Sequence, residues 1–180
     1  MRPAVRLLVL LGLSACASPP TARHSGSGSG VECSDPGGFV SLWQLALVPA
    51  DLTGLRAELT LEVSHPHDKW RPLVFVMLDS GRAEDAVKVE LREPPGSRGL
   101  ELQVHVLEAS ENSWKTTRTE LLESDVAKGE TRAVSLDWSR PGQLEVRVGE
   151  KTASVPLHFQ VVRIRAGCSG ADGRIWVPEG

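Results

Sequence analysis

The sequence predicts an all-β protein built as a two-sheet antiparallel β-sandwich. The clearest pattern lies in residues 55–63, where apolar and polar side chains alternate, and the same period of two returns in several later segments. The breaks between these segments contain proline, glycine, serine or aspartate, which are typical turn residues. No stretch has helical periodicity long enough for a stable helix, although residues 121–128 are expected to form one helical turn. About ten short strands at this spacing indicate a sandwich.

The first fifteen residues are predicted to be an export signal outside the fold. Arg2 and Arg6 form a positive start, and the apolar run of residues 7–13 is too short to span a bilayer. The string Leu-Ser-Ala-Cys at residues 13–16 resembles the lipobox of bacterial lipoproteins, in which the signal peptidase cuts before the cysteine. The resemblance implies fatty acyl groups such as palmitate on Cys16, and Ala17 after it favours the outer membrane in a Gram-negative cell. The alternative is an ordinary signal peptide cleaved near Ala15 or Ala17.

Residues 16–32 have the composition of a flexible tether. Pro19 and Pro20 make its first part stiff and extended, and the serine–glycine repeat of residues 25–30 behaves as a flexible coil. This repeat does not predict a phosphate-binding loop, because no strand leads into it and no helix follows it. We therefore expect one folded domain over residues 33–180, held away from a membrane surface by the tether.

The chain has three cysteines, an odd number for an exported protein. If Cys16 carries the lipid, Cys33 and Cys168 remain as a pair in an oxidising compartment. We expect these two to form a disulfide that joins the first strand region of the domain to the last. A metal site is the less favoured alternative, because two cysteines so far apart supply too few soft ligands.

The strands follow in order along the predicted domain. The first two are expected at residues 39–45 and 55–63, and the next, at residues 73–78, is apolar on both faces, which indicates a central strand covered on two sides. Alternating segments follow at residues 87–91 and 100–106 and again at 133–138 and 143–148. Two late strands are predicted within residues 159–164 and 174–177.

The last third of the chain carries a resemblance to a known superfamily. One strand ends at Trp138, a Pro141-Gly142 turn follows, the next strand ends at Gly149, and residues 159–164 lead to the closing strand. This order resembles the end of a concanavalin A-like lectin/glucanase domain, the laminin G-like jelly roll included. The resemblance implies a jelly roll. An immunoglobulin-like sandwich is the alternative, because short alternating strands occur in both folds.

The resemblance implies either a hydrolase or a binding protein. Glucanases of this superfamily carry Glu-x-Asp-x-x-Glu or Glu-x-Asp-x-Glu on one strand, so that the carboxylates share a face as nucleophile and acid/base. The nearest string here begins at Glu123 and Asp125, but Ala127 and Lys128 stand where the last carboxylate belongs. A glycoside hydrolase is therefore disfavoured, and we expect a non-catalytic binding module.

Two tryptophans are the candidate ligand-binding residues. Trp70 and Trp114 have polar neighbours, and an exposed indole can cover the apolar face of a sugar ring. Trp43, Trp138 and Trp176 lie in or at the ends of apolar strands and are expected in the core. The sequence thus favours binding of a cell-wall or surface polysaccharide, with docking onto another envelope protein as the alternative.

No metal or cofactor is predicted. Residues 65–68, His-Pro-His-Asp, form the one compact group of metal-binding side chains, but the proline fixes a turn and no fourth ligand can be named. The superfamily often binds Ca²⁺ through loop carboxylates, and Asp79, Asp85 and Asp172 fall on predicted loops, yet no spacing selects them. The net charge of -3 and the absence of a Lys/Arg cluster argue against nucleic acid or an anionic surface as an electrostatic partner.

Overall fold

The structure is a computed structural model that describes residues 28–34, 41–65, 71–81, 85–110 and 113–178. These residues form two antiparallel sheets of six strands each. The strands are β1 (Gly28–Ser34), β2 (Ser41–Leu47), β3 (Gly54–Ser64), β4 (Leu73–Asp79), β5 (Asp85–Arg92), β6 (Leu100–Ser110), β7 (Ser113–Val126), β8 (Arg132–Asp137), β9 (Gln143–Val148), β10 (Lys151–Pro156), β11 (Arg163–Ser169) and β12 (Ala171–Pro178). The predicted all-β, two-sheet antiparallel sandwich is confirmed.

Strands from the two ends of the chain lie side by side in both sheets. The first sheet has the order β1-β12-β3-β8-β9-β10, and the second has the order β2-β11-β4-β5-β6-β7. The middle of the chain supplies the β4-β5-β6-β7 meander, whose neighbours are joined by short connections. Each sheet therefore depends on pairing between residues more than 100 positions apart, as in β1 with β12 and β2 with β11.

The main core lies between the two sheets, because every second residue of each strand points inward. Leu59 and Leu61 of β3 and Leu102 of β6 are fully buried there. Burial of one such leucine side chain stabilises the fold by about 2 kcal/mol. β4 is apolar on both faces, as predicted: Val74, Val76 and Leu78 belong to the main core, and the residues between them belong to a second cluster on the outer face.

The predicted helical turn at residues 121–128 is wrong, because β7 continues to Val126. Three register shifts against β6 bend this long strand and let Leu122 and Val126 reach the main core. Their spacing of four fits a helix, but residues four apart also lie on one face of a strand. The predicted strand at residues 159–164 is also misplaced: β11 begins at Arg163, and Val162 instead bonds through its backbone to Val48 and Asp79.

β1 begins at Gly28, inside the segment predicted as tether, and pairs along its length with β12. Strand pairing uses backbone groups, so this polar sequence pairs without an apolar pattern. Gly30 lies beside Trp176, and a β-carbon at residue 30 would collide with the indole ring. Cys33, near the end of the same strand, forms the predicted disulfide with Cys168 of β11, with the two Cα atoms 6.4 Å apart. The bridge therefore links the edge of the first sheet to the second sheet.

No helix in the part of the chain that the structure describes is long and apolar enough to cross a membrane.

Candidate functional site

The outer surface of the second sheet carries a dense group of charged side chains, which we call the charged face. Its residues alternate along β4, β5, β6 and β11 with residues of the main core, so they point away from the first sheet. The charged face consists of Asp79, Lys88, Glu90, Arg92, Glu101, Gln103, His105, Arg163 and Arg165. Antiparallel register places Lys88 opposite His105 and Glu90 opposite Gln103.

Glu90 is the centre of the first ion-pair group on the charged face. Its side chain is 3% exposed; Lys88 Nζ lies 2.6 Å from its Oε2 and His105 Nε2 lies 3.0 Å from its Oε1. Arg92 approaches Oε1 more loosely, at 3.6 Å. Burial raises the pKa of Glu90, but the imidazole of His105 and the ammonium of Lys88 outweigh it and lower the pKa to about 2. The carboxylate is therefore ionised at any physiological pH.

His105 has a polar neighbour at each ring nitrogen. Nε2 faces Glu90, and Nδ1 lies 2.9 Å from the Thr119 hydroxyl on the neighbouring strand β7. Gln103, two residues earlier on the same face, donates from Nε2 to Glu101 Oε2 at 2.6 Å. These contacts fix the imidazole and the amide in orientation, so this part of the charged face is preorganised.

Asp79 is the centre of the second group. Its carboxylate is fully buried, and it accepts hydrogen bonds from Arg163 Nε at 2.8 Å, from Arg165 Nε and from the backbone N–H of Gly81. Burial alone raises the pKa of Asp79, but hydrogen bonds from Arg165 and Arg163 reverse the effect and lower it. Each of the two buried carboxylates thus has more than one cation beside it.

The charged face therefore has a surplus of positive charge. Lys88, Arg92, Arg163 and Arg165 keep 16–25% of their side chains exposed, whereas Asp79 and Glu90 are buried. The four cations remain partly accessible while these two carboxylates do not, although Glu101 on the same face keeps 26% of its side chain exposed. Arg92 Nε, which has no hydrogen-bond partner among the described residues, lies 4.0 Å from Glu101. An anion approaching this surface meets the partly exposed N–H donors of the four cations and also the Glu101 carboxylate.

An apolar cluster lies beside the ion pairs on the same outer face. It consists of Phe75, Met77, Ala86 and Leu107, with Leu73 and Trp114 packed against it. Lys88 connects the two regions, since its ammonium lies 5.6 Å from the centre of the Phe75 ring. Trp114, on β7, is half-buried, so the indole forms the edge of this cluster.

The structure describes one of the two predicted ligand-binding residues. Trp114 lies on the same sheet surface as the charged face, whereas Trp70 is outside the described residues. Of the predicted core tryptophans, Trp43 and Trp138 pack against the main core. Trp176 does not: it faces outward on the first sheet, between Gly30 and Glu58.

Three of the described metal candidates, His65, Asp79 and Asp172, are engaged in other contacts. His65 Nε2 lies 3.0 Å from Asp172 Oδ2, and Ser34 donates to the other oxygen of Asp172 at 2.6 Å. Asp79 is occupied by two arginines, and residues 66–68 of the histidine motif lie outside the described residues. Within the described ranges, no three His, Cys, Asp or Glu side chains are grouped to hold a metal ion.

Most of the charged face was not predicted from the sequence. Lys88, Glu90, Arg92, Gln103 and His105 were given no role there. The sequence does hold a signal for this face: polar residues alternate with apolar ones in β5 and again in β6, which follows closely along the chain. Adjacent antiparallel strands place such polar residues side by side on one face.

No protein-family model matches this sequence, and no curated protein matches it significantly. Solved structures do. A carbohydrate-binding module, CBM66, from Bacillus subtilis aligns with a TM-score of 0.51 at 8% identity, covering 87% of this chain and 88% of that one. A double mutant of congerin II aligns with a TM-score of 0.51 at 10% sequence identity, covering 76% of this chain and 96% of that one. An alginate lyase from Pseudomonas aeruginosa aligns with a TM-score of 0.46 at 20% sequence identity, covering 69% of this chain and 61% of that one. The two structures with TM-scores of 0.51 show by their likeness the fold alone, and that fold is the jelly-roll sandwich.

Proposed function

We propose that this protein is a lipid-anchored, non-catalytic module of the bacterial cell envelope that binds an acidic polysaccharide on its charged face. The observation that carries the proposal is the pairing of each buried carboxylate with several cations. Asp79 is shared by Arg163 and Arg165, and Glu90 by Lys88 and His105, with Arg92 nearby. A ligand carboxylate can take the remaining donors, because arginine presents several N–H groups in a fixed plane.

Three further features support a sugar as the ligand. The Arg92 guanidinium and the Gln103 amide, on adjacent strands, provide neighbouring polar groups, which suit the adjacent hydroxyls of a sugar ring. The half-buried indole of Trp114, at the edge of the apolar cluster, supplies a surface for the C–H face of the ring. A protein of similar fold is itself a carbohydrate-binding module. We infer that Trp114 borders the binding surface, and Trp70 remains a second candidate.

The chemistry of the charged face favours binding without cleavage. A glycoside hydrolase needs one carboxylic acid with a raised pKa as proton donor, whereas burial and the neighbouring cations leave the pKa of Glu90 at about 2 and that of Asp79 lowered. A general base needs a free nitrogen or carboxylate, whereas His105 is buried, with Nδ1 2.9 Å from the Thr119 hydroxyl and Nε2 3.0 Å from Glu90.

Docking onto another envelope protein is the alternative function, and it receives less support. A docking surface is expected to expose a broad apolar patch. The exposed large apolar side chains among the described residues are Leu47, Leu52, Val63 and Leu121, and they lie on different strands and loops of the two sheets. Phe75, Met77 and Leu107 form a patch, but they are at most 6% exposed.

Membrane attachment through Cys16 is part of the proposal. Lipidation at this residue supplies acyl chains worth about 0.8 kcal/mol per buried methylene, which is enough for a stable anchor. The check is the mass of the N-terminal peptide after expression in a Gram-negative host. A diacylglyceryl and acyl mass on Cys16 supports the anchor, and a free thiol or a cut at Ala17 contradicts it. A Cys16→Ser variant, released into the soluble fraction, is the control.

Polysaccharide binding is tested with the unlipidated Cys16→Ser chain. Polygalacturonate and peptidoglycan are compared with neutral dextran, and we expect saturable binding to an acidic chain that weakens as salt increases. Arg92→Ala and Trp114→Ala should each weaken it by about tenfold or more, the equivalent of one lost charge-assisted contact. Arg147→Ala, on the outer face of the first sheet, removes an equal charge and should leave binding unchanged.

Two results contradict the proposal. If the folded chain retains no acidic polysaccharide, or binds it equally well after Arg92→Ala and Trp114→Ala, the charged face is not the binding surface. If bound polysaccharide is shortened, as new reducing ends or unsaturated ends absorbing in the ultraviolet would show, the module is an enzyme.

A further inference from the structure

The outer face of the first sheet holds a pocket, on the opposite side of the sandwich from the charged face. It has a volume of about 370 Å³, within the range of small-ligand sites, and lies over β1, β12 and β3. We call it the outer pocket, and the side chains that define it are Trp176, Arg174, Glu58, Thr60, Glu32 and Thr131. None of these belongs to the charged face.

Backbone register builds the outer pocket. Trp176 stands between Gly30 on β1 and Glu58 on β3, and in the next row Arg174 stands between Glu32 and Thr60. Because Gly30 has no side chain, the indole ring lies against the backbone of β1, where any β-carbon would displace it. The half-buried ring therefore forms a wall of the pocket and leaves part of its surface exposed to a ligand.

The polar groups of the outer pocket are of mixed character. Glu58 has no ion-pair partner in the described part of the chain, and Arg174 uses one nitrogen for Glu62 at 2.9 Å, which leaves further N–H donors. Thr60 is 3% exposed, and its hydroxyl lies 2.8 Å from that of Thr131. Two hydroxyl groups share a single hydrogen bond there, so one hydroxyl proton remains to be donated.

We propose that the outer pocket binds a neutral sugar residue. Glu32 and Glu58 would repel an anionic ligand, and Arg174 would repel a cationic one, so the pocket favours a ligand without net charge. A pyranose satisfies all of the groups together: its C–H face packs on the Trp176 indole, and adjacent hydroxyls donate to Glu58 and accept from Arg174. The chain then carries two sugar sites on opposite faces, which allows it to bridge two glycan strands.

The experiment uses the ¹⁵N-labelled Cys16→Ser chain and follows the indole N–H resonance of Trp176, assigned by its loss in Trp176→Phe. Glucose, galactose, mannose and N-acetylglucosamine are titrated separately, with tetramethylammonium and acetate as charged probes. We expect a saturable shift at millimolar concentration for at least one neutral sugar and none for the charged probes. Glu58→Gln, which keeps the shape of the side chain, should weaken binding about tenfold. Glu145→Gln, on the same outer sheet surface outside the pocket, is the matched control and should have no effect.

The Arg92→Ala variant separates this site from the charged face. Binding in the outer pocket should be unchanged in that variant, even if polysaccharide binding is lost or was never present. The proposal is overturned if no neutral sugar shifts the Trp176 resonance, if a charged probe shifts it more strongly, or if Glu58→Gln binds as the wild type does.

Discussion

Glu90 gives the sharpest quantitative prediction for this fold, because its carboxylate is buried and ionised at once. Its pKa falls from the ordinary 4.5 to about 2, since His105 and Lys88 outweigh the cost of burial. A carboxyl group whose pKa is lowered by folding stabilises the folded state fully above its unfolded pKa. That stabilisation is lost as the pH falls from 4.5 to about 2. The difference corresponds to ~3 kcal/mol in the free energy of unfolding.

Urea unfolding of the wild type and of Glu90→Gln, at several pH values from 6 down to 2, measures this contribution. The wild type should be more stable than the variant near neutral pH, and the difference should shrink by ~3 kcal/mol as the pH approaches 2. Asp79 and the other carboxyl groups titrate in both proteins, so their effects largely cancel in the difference. A difference that stays constant over this pH range would refute the argument, because Glu90 would then make no pH-linked contribution.

Two other changes test the packing of the fold and of the charged face. Asp79→Asn leaves the guanidinium groups of Arg163 and Arg165 without their buried counter-charge, and should lower the free energy of unfolding by about 3 kcal/mol or more in urea titrations; a loss below about 1 kcal/mol contradicts the assigned ion pairs. The double variant Cys33→Ser, Cys168→Ser opens a loop with a sequence separation of 135 residues. Loop-closure entropy then predicts a loss of about 5 kcal/mol, and equal melting temperatures of oxidised wild type and variant contradict it.

The sequence predicts most strands because a strand with one buried and one exposed face has apolar and polar residues in alternation. Residues 55–63 alternate strictly, and β3 follows them closely. β1 was not predicted, because its serines and glycines pair through the backbone and contribute little to the core. The helical turn expected at residues 121–128 was wrong because bulges in β7 change which residues reach the core, and bulges depend on the partner strand β6.

The candidate site was harder to predict than the fold. Lys88 and Glu90 are two residues apart and their shared face follows from alternation, but their contact with His105 depends on the register of β5 against β6. Asp79 meets Arg163 and Arg165 across more than 80 residues of sequence, and only the pairing of β4 with β11 brings them together. Trp176 was expected in the core because its neighbours Ile175 and Val177 are apolar. Those two residues point into the core, and Trp176 between them therefore points outward, because successive residues of a strand face opposite sides of the sheet.

The place of the disulfide has a mechanical consequence. Tension applied to the N-terminal end of the chain acts first on β1, an edge strand held by β12 alone. Peeling begins at Gly28 and must stop at Cys33, because the bridge transfers the load to Cys168 of β11, which is paired on both sides by β2 and β4. At most five residues can detach before the load reaches the interior of the second sheet. Both sugar-binding faces proposed above remain on the loaded body, although loss of β1 would remove one wall of the outer pocket.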